Sequence, residues 1–367
     1  MRALIAGGGT GGHINPAIAI ASIIKRYEPD SEIAFVGTPN GMENRLIPKA
    51  GFELYHVDIT GFTARSVSGG LKYLRQMSSS AKEAGKIIRE FRPDVCIGTG
   101  GYVSWPLIRA AQKLKIPTAM HESNALAGKA VKALAPGLDV LFVNFAETAK
   151  QVRCGNVVHS GNPLRADFGK ITRDGARKKL GLDRYRYSIL SCGGSLGAEP
   201  INVSAIGVMN SFGRFRDDVH HLHQAGAGKI GEAKRMFDSL GLGNCPNLCL
   251  TDYIYDMPER LAAADIVIGR AGAMTVSELA FLGRAAILIP SPYVADNHQY
   301  RNARALADLG ACILIEEKHL SPEVLKSAVS GLISDETKLR EMSESIRRFA
   351  VENTDEIIFN GIKSIIR

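Results

Sequence analysis

Residues 1–21, MRALIAGGGTGGHINPAIAIA, place an apolar run, a glycine-rich segment and a helical pattern in direct succession. RALIA at residues 2–6 is typical of a short buried strand, and an apolar helical pattern follows from Pro16. Glycines let the backbone between them approach a ligand closely, and the amides at the start of a helix favour negative charge. This stretch predicts the first strand, phosphate-binding turn and helix of a Rossmann-like fold.

The same pattern continues along the chain. Short apolar runs alternate with helical patterns such as residues 16–27 and 70–91, which predicts a parallel sheet covered by helices. The pattern restarts after about residue 165, where an apolar run leads into the glycine-rich segment GGSLGAEPIN at residues 193–202. The predicted strands are RALIA, EIAFVG, VCIGTG, TAMHE and VLFVN in the first half, and YSILSC, VHHLHQ, NLCLTD, DIVIGR, AAILIP and ACILI in the second.

This repetition predicts an α/β protein with two Rossmann-like domains that face each other across a cleft. Ligands are then expected at the carboxyl ends of the strands. The segment SGNPLRADFG is typical of a hinge, so we place the first domain at residues 1–164 and the second at residues 165–348. Residues 349–367 are predicted to form one more helix that crosses back to the first domain.

Composition narrows the class of protein. The 367 residues are 45% hydrophobic, enough to bury substantial cores. The net charge of +8 favours anionic partners such as phosphates, nucleic acid or an acidic membrane surface. No run approaches the roughly 18 apolar residues of a membrane span, and the first strand meets glycine too early for a signal peptide. The six scattered cysteines lack the spacing of a zinc site, so we expect reduced thiols in a cytoplasmic protein.

The glycine-rich segment and the positive charge are each compatible with a known class of function. GGGTGG matches the dinucleotide pattern G-x-G-x-x-G, but a dehydrogenase needs an acidic residue at the end of the second strand, and EIAFVG is followed by Thr38. A non-enzymatic module that binds a nucleotide sugar or RNA would explain the charge, but only 7% of the residues are aromatic and available for base stacking. The missing acid argues against the dehydrogenase, and the low aromatic content argues against the RNA-binding module.

A ribose-binding acid is predicted in the second half. DIVIGRAGAMTVSELAFLG, at residues 265–283, combines a strand, a turn of small residues and a helix that carries Glu278 in its first two turns. Amides at that helix start can hold a diphosphate, while Glu278 accepts two hydrogen bonds from a ribose diol. Thr275 and Ser277 add hydroxyl groups. The alternative is that Glu278 only stabilises the positive end of its own helix.

Seven ordered motifs together resemble one family. GGTGGH, GTGGYVSWP, HESNALAG, GNPLR, CGGSLGA, RAGAMTVSEL and ADNHQYRNA occur in the order seen in the MurG family of peptidoglycan N-acetylglucosaminyltransferases. The resemblance covers nearly the whole chain and implies the GT-B fold. It implies a hexosyltransferase that moves N-acetylglucosamine, with inversion, from UDP-N-acetylglucosamine to the C4 hydroxyl of MurNAc in undecaprenyl-pyrophosphoryl-MurNAc-pentapeptide (lipid I). The product, lipid II, serves peptidoglycan synthesis and thereby cell-wall biogenesis, cell shape and division. Another GT-B UDP-sugar transferase is the alternative.

The resemblance also implies where the donor binds. By motif position, the donor residues of the second domain would be Arg165, Ser195, Ile254 at the uracil, Ala273, Met274, Thr275, Val276, Ser277, Glu278 and Gln299. Those of the first domain, close to the donor's sugar and phosphates, would be Thr10, Gly11, Gly12 and Asn124. Trp105 and His298 depart from the usual family pattern, and neither removes a predicted contact.

Inverting sugar transfer needs a base for the attacking hydroxyl and stabilisation of the departing diphosphate. His13 is the predicted base, because the helix dipole disfavours the imidazolium and keeps the ring able to accept a proton. Alternatively, His13 only hydrogen-bonds the loop or a substrate phosphate. Glu122 is the second candidate, unless it braces the end of its strand. Amides near Ser195 and residues 273–275 would stabilise the leaving group, with Arg165 as a charged donor. Since no Asp-x-Asp motif occurs beside these loops, we expect neither an obligatory metal nor a cofactor.

The acceptor is a membrane lipid, which requires a membrane-binding surface. On the predicted helix at residues 70–91, basic residues that include Lys72, Arg75 and Lys82 share one sector, which suits anionic lipid. Apolar residues of the preceding segment can enter the interface; they are Phe62, Val67 and Leu71. We therefore expect a peripheral protein on the cytoplasmic side of the cell membrane. Cell-wall and division proteins are possible partners, nucleic acid is not, and a merely solvated helix face is the alternative.

Overall fold

The computed structural model describes residues 1–61, 67–164 and 168–366, and for residues 67–72, 74 and 170 it describes the backbone alone. The chain divides into two compact units. Unit 1 comprises Met1–Leu164 and Val351–Arg367, and unit 2 comprises Arg165–Ala350. Each unit is built on one parallel sheet, so the expected α/β class is confirmed.

Unit 1 has a seven-stranded sheet in the order β3-β2-β1-β4-β5-β6-β7. Its strands are β1 (Arg2–Ala6), β2 (Glu32–Gly37), β3 (Glu53–His56), β4 (Val95–Gly98), β5 (Thr118–Glu122), β6 (Val140–Val143) and β7 (Val157–His159). The strand order reverses between β1 and β4, and a ligand site in such a sheet is expected at the carboxyl ends of the strands beside that point.

Unit 2 has a six-stranded sheet in the order β10-β9-β8-β11-β12-β13. Its strands are β8 (Tyr187–Cys192), β9 (Val219–Gln224), β10 (Leu248–Thr251), β11 (Ile266–Gly269), β12 (Ala285–Leu288) and β13 (Ile313–Leu314). Here the order reverses between β8 and β11. The equivalent ligand position therefore lies at the ends of these two strands.

Helices cover both sheets. In chain order they are α1 (Gly11–Tyr27), α2 (Glu43–Lys49), α3 (Val67–Phe91), α4 (Gly101–Leu114), α5 (Lys129–Leu134), α6 (Arg173–Lys179), α7 (Glu199–Ser211), α8 (Ile230–Ser239), α9 (Met257–Ala263), α10 (Ala273–Leu282), α11 (His298–Ala307), α12 (Pro322–Ile333), α13 (Glu336–Arg347) and α14 (Thr354–Ile365). Because helices lie on both faces, the central strands are buried along nearly their whole length instead of alternating between buried and exposed residues.

The last helix, α14, belongs to unit 1 although it follows unit 2 in the sequence. Ile358 and Ile362 are fully buried in the same apolar cluster as Phe142 of β6. Lys363 also forms an ion pair of 2.6 Å with Glu28 at the end of α1. The hydrogen bonds from Lys363 and the chain's amino terminus lower the pKa of Glu28 to about 2.

Two strands were missed in the sequence. The structure adds β3 and β7, which occupy the two edges of the unit 1 sheet. Each pairs on one side only and both are partly exposed, so their sequences ELYH and VVH lack the continuous apolar character of the central strands. Within the described residues, no helix has both the length and the apolar character needed to cross a membrane.

Candidate active site

Two pairs of glycines in residues 7–12 differ in the space around them. A Cβ added at Gly7 would lie 2.4 Å from a threonine hydroxyl oxygen, and one at Gly8 would lie 2.8 Å from a buried glutamate oxygen. These two glycines are therefore required by packing within unit 1. At Gly11 and Gly12, in the first turn of α1, an added Cβ would meet no atom closer than 3.7 Å. Packing does not explain the second pair, whereas close approach of a ligand would.

His13 lies in the first turn of α1 and is half-buried. Its Nδ1 lies 2.9 Å from the carbonyl oxygen of Thr99, which follows β4. A carbonyl oxygen only accepts hydrogen bonds, so in the neutral ring Nδ1 carries the hydrogen and Nε2 carries the lone pair. The exposed Thr10 is the N-cap residue of α1, and its carbonyl oxygen accepts from the His13 amide at 3.1 Å. The ring thus has the tautomer that a general base acting through Nε2 needs.

The loop from β4 to α4 leaves room for the imidazole. A Cβ added at Gly100 would lie 2.9 Å from Nδ1 of His13, and one at Gly101 would lie 3.0 Å from Cδ2 of the same ring. Both glycines also have positive φ angles, +94° and +72°. The GTGG motif therefore fits against His13, and each of its two last glycines is needed for both conformation and space.

Glu122, at the end of β5, is buried with 3% of its surface exposed. Its Oε1 accepts from the backbone and side-chain amides of Asn124 at 3.0 and 3.2 Å, and its Oε2 accepts from the Gly128 amide at 2.8 Å. Both carboxylate oxygens are thus engaged by the HESNALAG loop. This geometry favours the bracing role for Glu122 and orients Asn124 at the end of the strand.

In unit 2, Ser195 lies in the exposed turn between β8 and α7. The amide of Gly197 donates to the carbonyl oxygen of Gly194 at 2.9 Å and closes the turn. A Cβ at Gly197 would lie 2.0 Å from the carbonyl oxygen of Ala225, so this turn packs directly on the loop after β9. Ser195 therefore lies four residues before α7, which begins at Glu199. Its turn packs against the loop after β9, which also contains glycine.

The helix α10 begins after a turn of three residues that follows β11, and it carries most of the predicted donor residues of unit 2. Met274, Thr275, Ser277 and Glu278 are partly exposed along it, and Ala273 is buried with 9% of its surface exposed. Val276 is different, because its side chain is 2% exposed on the core face and its amide donates to the carbonyl oxygen of Gly272 at 2.9 Å. The Val276 side chain thus faces the core, and its amide is used within the helix.

The Ser195 turn and the turn before α10 follow neighbouring strands, because Cys192 of β8 lies opposite Gly269 of β11 in their parallel pairing. Burial raises the pKa of the Cys192 thiol, a hydrogen bond from Gly194 opposes that shift, and the charge of Glu278 adds to it. The carboxylate and the Ser195 turn therefore belong to the same end of the sheet, at the point where the strand order reverses.

A buried glutamine joins two parts of the predicted donor site. Gln224, at the end of β9, is 2% exposed. Its Nε2 donates to the carbonyl oxygen of Gly194 at 3.1 Å, and its Oε1 accepts from the amide of Ile254 at 3.1 Å. Sequence analysis missed this residue, since a polar residue that ends a predicted strand gives no sign of its partners. Its position at a strand's carboxyl end was the one available signal.

Two side chains of α11 hold neighbouring loops. Gln299, a predicted donor residue, accepts from the amide of Ser291 at 2.9 Å through its Oε1. Asn302 is fully buried and donates to the carbonyl oxygen of Ala271 at 3.1 Å, in the turn before α10. The loops after β11 and β12 are therefore fixed from the same helix, and Asn302 is a second residue that sequence analysis missed.

Several predicted residues are not placed. Arg165 and Phe62 lie outside the described residues, and the side chains of Val67, Leu71 and Lys72 lie outside them as well. Arg75 and Lys82 are exposed on α3. The described residues include no group of three or more His, Cys, Asp or Glu side chains that could hold a metal ion.

Comparison with known proteins agrees with both units. Residues 3–142 match the glycosyltransferase family 28 N-terminal domain, and residues 188–357 match the glycosyltransferase family 28 C-terminal domain. The crystal structure of Acinetobacter baumannii MurG superposes with a TM-score of 0.79 at 28% identity, covering 99% of each chain. The two parallel sheets with their helices are therefore those of the GT-B fold.

Curated relatives cover the full length. A protein of Acetivibrio thermocellus is 41% identical over 371 residues, which span 100% of this chain and 99% of that protein. A protein of Bacillus cytotoxicus is 35% identical over 367 residues, covering 100% of both chains. Each is named UDP-N-acetylglucosamine–N-acetylmuramyl-(pentapeptide) pyrophosphoryl-undecaprenol N-acetylglucosamine transferase. The chain therefore belongs to glycosyltransferase family 28 and, within it, to the MurG family.

Proposed function

We propose that this chain forms lipid II by transferring N-acetylglucosamine, with inversion, from UDP-N-acetylglucosamine to the C4 hydroxyl of MurNAc in lipid I. The observation that carries the proposal is the 41% identity, over the full chain, to a relative whose name states this donor and this acceptor. The reaction would serve peptidoglycan synthesis and, through the cell wall, cell shape and division.

His13 is the proposed general base. When Nδ1 donates its hydrogen to the Thr99 carbonyl oxygen, Nε2 is the basic nitrogen of the ring and would take the proton from the acceptor hydroxyl. Glu122 is the weaker candidate, because both of its oxygens already accept hydrogen bonds from the HESNALAG loop. In this proposal Glu122 holds Asn124 and the strand end in place.

The donor is assigned to unit 2. The amides of Met274 and Thr275 precede the first intrahelical hydrogen bond of α10, which Val276 donates to Gly272, and can receive the diphosphate. The exposed Ser195 turn supplies further polar groups, and Glu278 accepts from the ribose diol. Ile254, 5% exposed and held by Gln224, would contact the uracil, and Gln299 and Arg165 would complete the site.

Two glycines of unit 1 indicate where a ligand can approach the backbone closely. Gly11 and Gly12 have neither a positive φ nor a packing neighbour that would exclude a side chain. Their bare backbone beside Thr10 is what a closely approaching sugar or phosphate would require. This observation supports the proposed donor contacts of Thr10, Gly11, Gly12 and, beside Glu122, Asn124.

The reaction is tested by incubating the protein with radiolabelled UDP-N-acetylglucosamine and a lipid I analogue. Label in the extracted lipid product supports the proposal, and its absence with an active relative run in parallel contradicts it. Glu278→Gln should weaken binding of UDP, measured by calorimetry. Glu232→Gln is the matched control, because Glu232 also lies near the start of a helix, α8, and is exposed. Equal effects of both changes would assign Glu278 to helix stabilisation alone.

The proposed mechanism uses no obligatory metal and no cofactor. What supports this is the absence of an Asp-x-Asp motif beside the donor loops, together with helix-terminal amides that can stabilise the leaving diphosphate. Turnover should therefore persist in excess EDTA. Loss of turnover in EDTA that added Mg²⁺ restores would show that a metal is required.

We propose further that the protein binds the cytoplasmic face of the cell membrane through α3. Arg75, Lys82, Lys86 and Arg89 are exposed along this helix, while Ala81, Ala84 and Ile88 of its other face are buried. Each cation near an anionic surface contributes about 1 kcal/mol. Two acidic residues of the same helix, Glu83 and Glu90, reduce the positive charge of this surface; Glu83 accepts from the Asp58 amide at 2.9 Å, and Glu90 is exposed.

Sedimentation with vesicles that contain phosphatidylglycerol tests the membrane surface. Reversing Lys72, Arg75 and Lys82 to glutamate should reduce the bound fraction. The control reverses three exposed lysines on other helices, Lys129, Lys234 and Lys338, and changes the net charge equally. Equal losses in both variants would indicate a response to total charge and contradict the assignment to α3. Binding of cell-wall and division proteins stays a prediction.

A further inference from the structure

An acidic residue lies beneath the first glycine-rich segment. Glu43 is the first residue of α2 and is fully buried. Its Oε1 accepts from the Thr38 amide at 2.9 Å and from the Thr38 hydroxyl at 2.7 Å, while its Oε2 accepts from the Gly9 amide at 3.2 Å. One carboxylate thus connects the loop after β2 with the loop that leads into α1.

Glycines surround this carboxylate. An added Cβ would lie 2.8 Å from Oε1 of Glu43 at Gly8, 2.7 Å from its Cγ at Gly37, and 2.1 Å from its Oε2 at Gly41. Two loop glycines and the last residue of β2 therefore leave the space that the side chain occupies. Part of the glycine-rich sequence thus accommodates an internal carboxylate instead of a ligand.

The carboxylate is ionised at neutral pH. Burial opposes ionisation, but hydrogen bonds from Thr38 and from backbone amides, including that of Gly9, outweigh it and hold the pKa of Glu43 below its ordinary value. A buried charge that loses one of its partners is costly. The Gly9 amide is therefore held firmly, one residue before Thr10, the N-cap of the helix that carries His13.

We propose that Glu43 is a positioning residue, whose buried carboxylate fixes the Gly9 end of the loop that presents His13. The inference rests on the proposed function for its catalytic consequence. Thr99 holds the His13 ring, and Glu43 holds the backbone before the helix, so the loop is fixed at both ends. Displacement of a reacting group by about 1 Å can cost on the order of 100-fold in rate, which gives this support a measurable role.

Glu43→Gln tests the inference. A carboxamide has one acceptor oxygen, so either the Gly9 amide or the Thr38 amide would face another N–H donor. We expect kcat to fall about 10- to 100-fold while the Kd for UDP stays within twofold of wild type. Hydrogen exchange of the peptide that covers residues 7–14 should become faster, and this measurement does not depend on activity.

Asp139→Asn is the matched control. Asp139 accepts from the amide and the hydroxyl of Thr118 at 2.8 and 3.0 Å, the same donor pair that Thr38 offers, at the start of β5. Because both bonds use one oxygen, an asparagine oxygen can keep them. We expect neither faster exchange over residues 7–14 nor a change in kcat.

Thr38 provides a second test if Glu43→Gln does not fold. Thr38→Val removes one donor and keeps the carboxylate, and should give a smaller shift in the same direction, while Thr38→Ser should restore wild-type behaviour. Unchanged exchange over residues 7–14 together with kcat within twofold of wild type would overturn the inference. If wild type shows no transfer, the proposed function fails, and the exchange data alone then decide the role of Glu43.

Discussion

Two reciprocal hydrogen bonds join His13 and Thr99, each from the side chain of one residue to the main-chain carbonyl oxygen of the other. Nδ1 of His13 lies 2.9 Å from the Thr99 carbonyl oxygen, and the Thr99 hydroxyl donates to the His13 carbonyl oxygen at 2.7 Å. Thr99 itself continues the pairing of the sheet, since its amide donates to Ala6 at 3.0 Å. The orientation of the proposed base is therefore fixed by the centre of the unit 1 sheet.

The first prediction concerns His13 itself. His13→Ala removes Nε2, the proposed proton acceptor, and should lower kcat by about 100- to 10,000-fold. Binding of UDP, which we assign to unit 2, should change little in calorimetry. His319→Gln is the control, because His319 is exposed and distant in sequence from every predicted site residue. Near-normal turnover of His13→Ala would remove this residue from the role of base.

The second prediction concerns the space beside the ring. Gly100→Ala adds a Cβ 2.9 Å from Nδ1 of His13, at a φ of +94°. The ring must move, so kcat should fall at least about tenfold, in addition to a stability loss of about 1 kcal/mol from backbone strain. Urea denaturation and single-turnover kinetics separate the two effects.

Gly51→Ala is the control for strain alone. Gly51 has a similar φ of +85°, but no atom lies within 4 Å of an added Cβ. It should lose comparable stability and keep its kcat. If the two variants lose kcat equally, then the loss in Gly100→Ala does not come from contact between the added Cβ and His13.

Most of the architecture could be predicted because buried parallel strands have a strong sequence signal. All eleven predicted strands coincide with strands of the structure, while β3 and β7 were missed. Edge strands have one neighbour and one exposed side, so Glu53 and His56 can stand at the ends of β3 at little cost. The sequence pattern of such a strand resembles that of a polar loop.

The positions of the site could be predicted, but the contacts within it could not. The glycine-rich segments mark the carboxyl ends of the strands, yet glycines within one segment have different roles. Gly8 leaves room for a side chain, whereas Gly12 has open space beside it. Gln224 and Glu43 appear in the sequence as ordinary polar residues. Their partners lie 30 and 34 residues away, at Gly194 and Gly9, and only the folded chain shows them.

The third prediction concerns Gln224. Gln224→Met keeps the approximate size but removes the bonds to Gly194 and Ile254, which join two loops of the proposed donor site. Each lost bond is worth about 1 kcal/mol, so the Kd for UDP should rise about tenfold or more. Gln112→Met is the control, since Gln112 donates to Leu134 in unit 1 at 3.0 Å. Equal changes in both Kd values would contradict the positioning role.

The fourth prediction concerns acid stability. Burial lowers the pKa of His121 and His223 to about 4, and burial together with neighbouring arginines lowers that of His220 to about 4. These rings are neutral in the folded chain, whereas in the unfolded chain a histidine titrates near 6.5. The unfolded state therefore binds more protons as pH falls through 6.5, and the free energy of unfolding should decrease steadily from there towards pH 4.

His220→Leu removes one of these titrating rings, so the difference from wild type gives its contribution to the pH dependence. The ring's Nδ1 is buried without a hydrogen-bond partner among the described residues, so a leucine gives up no bond at that atom. The free energy of unfolding, measured by urea titration between pH 7.5 and 5.0, should fall less steeply with decreasing pH for this variant than for wild type, by roughly 1 kcal/mol per pH unit below pH 6. This range avoids Glu28, whose pKa of about 2 affects stability only below pH 4.5. His319→Gln, at an exposed position, should keep the wild-type dependence of the unfolding free energy on pH. The same wild-type dependence in His220→Leu would show that His220 is not the buried neutral group we infer.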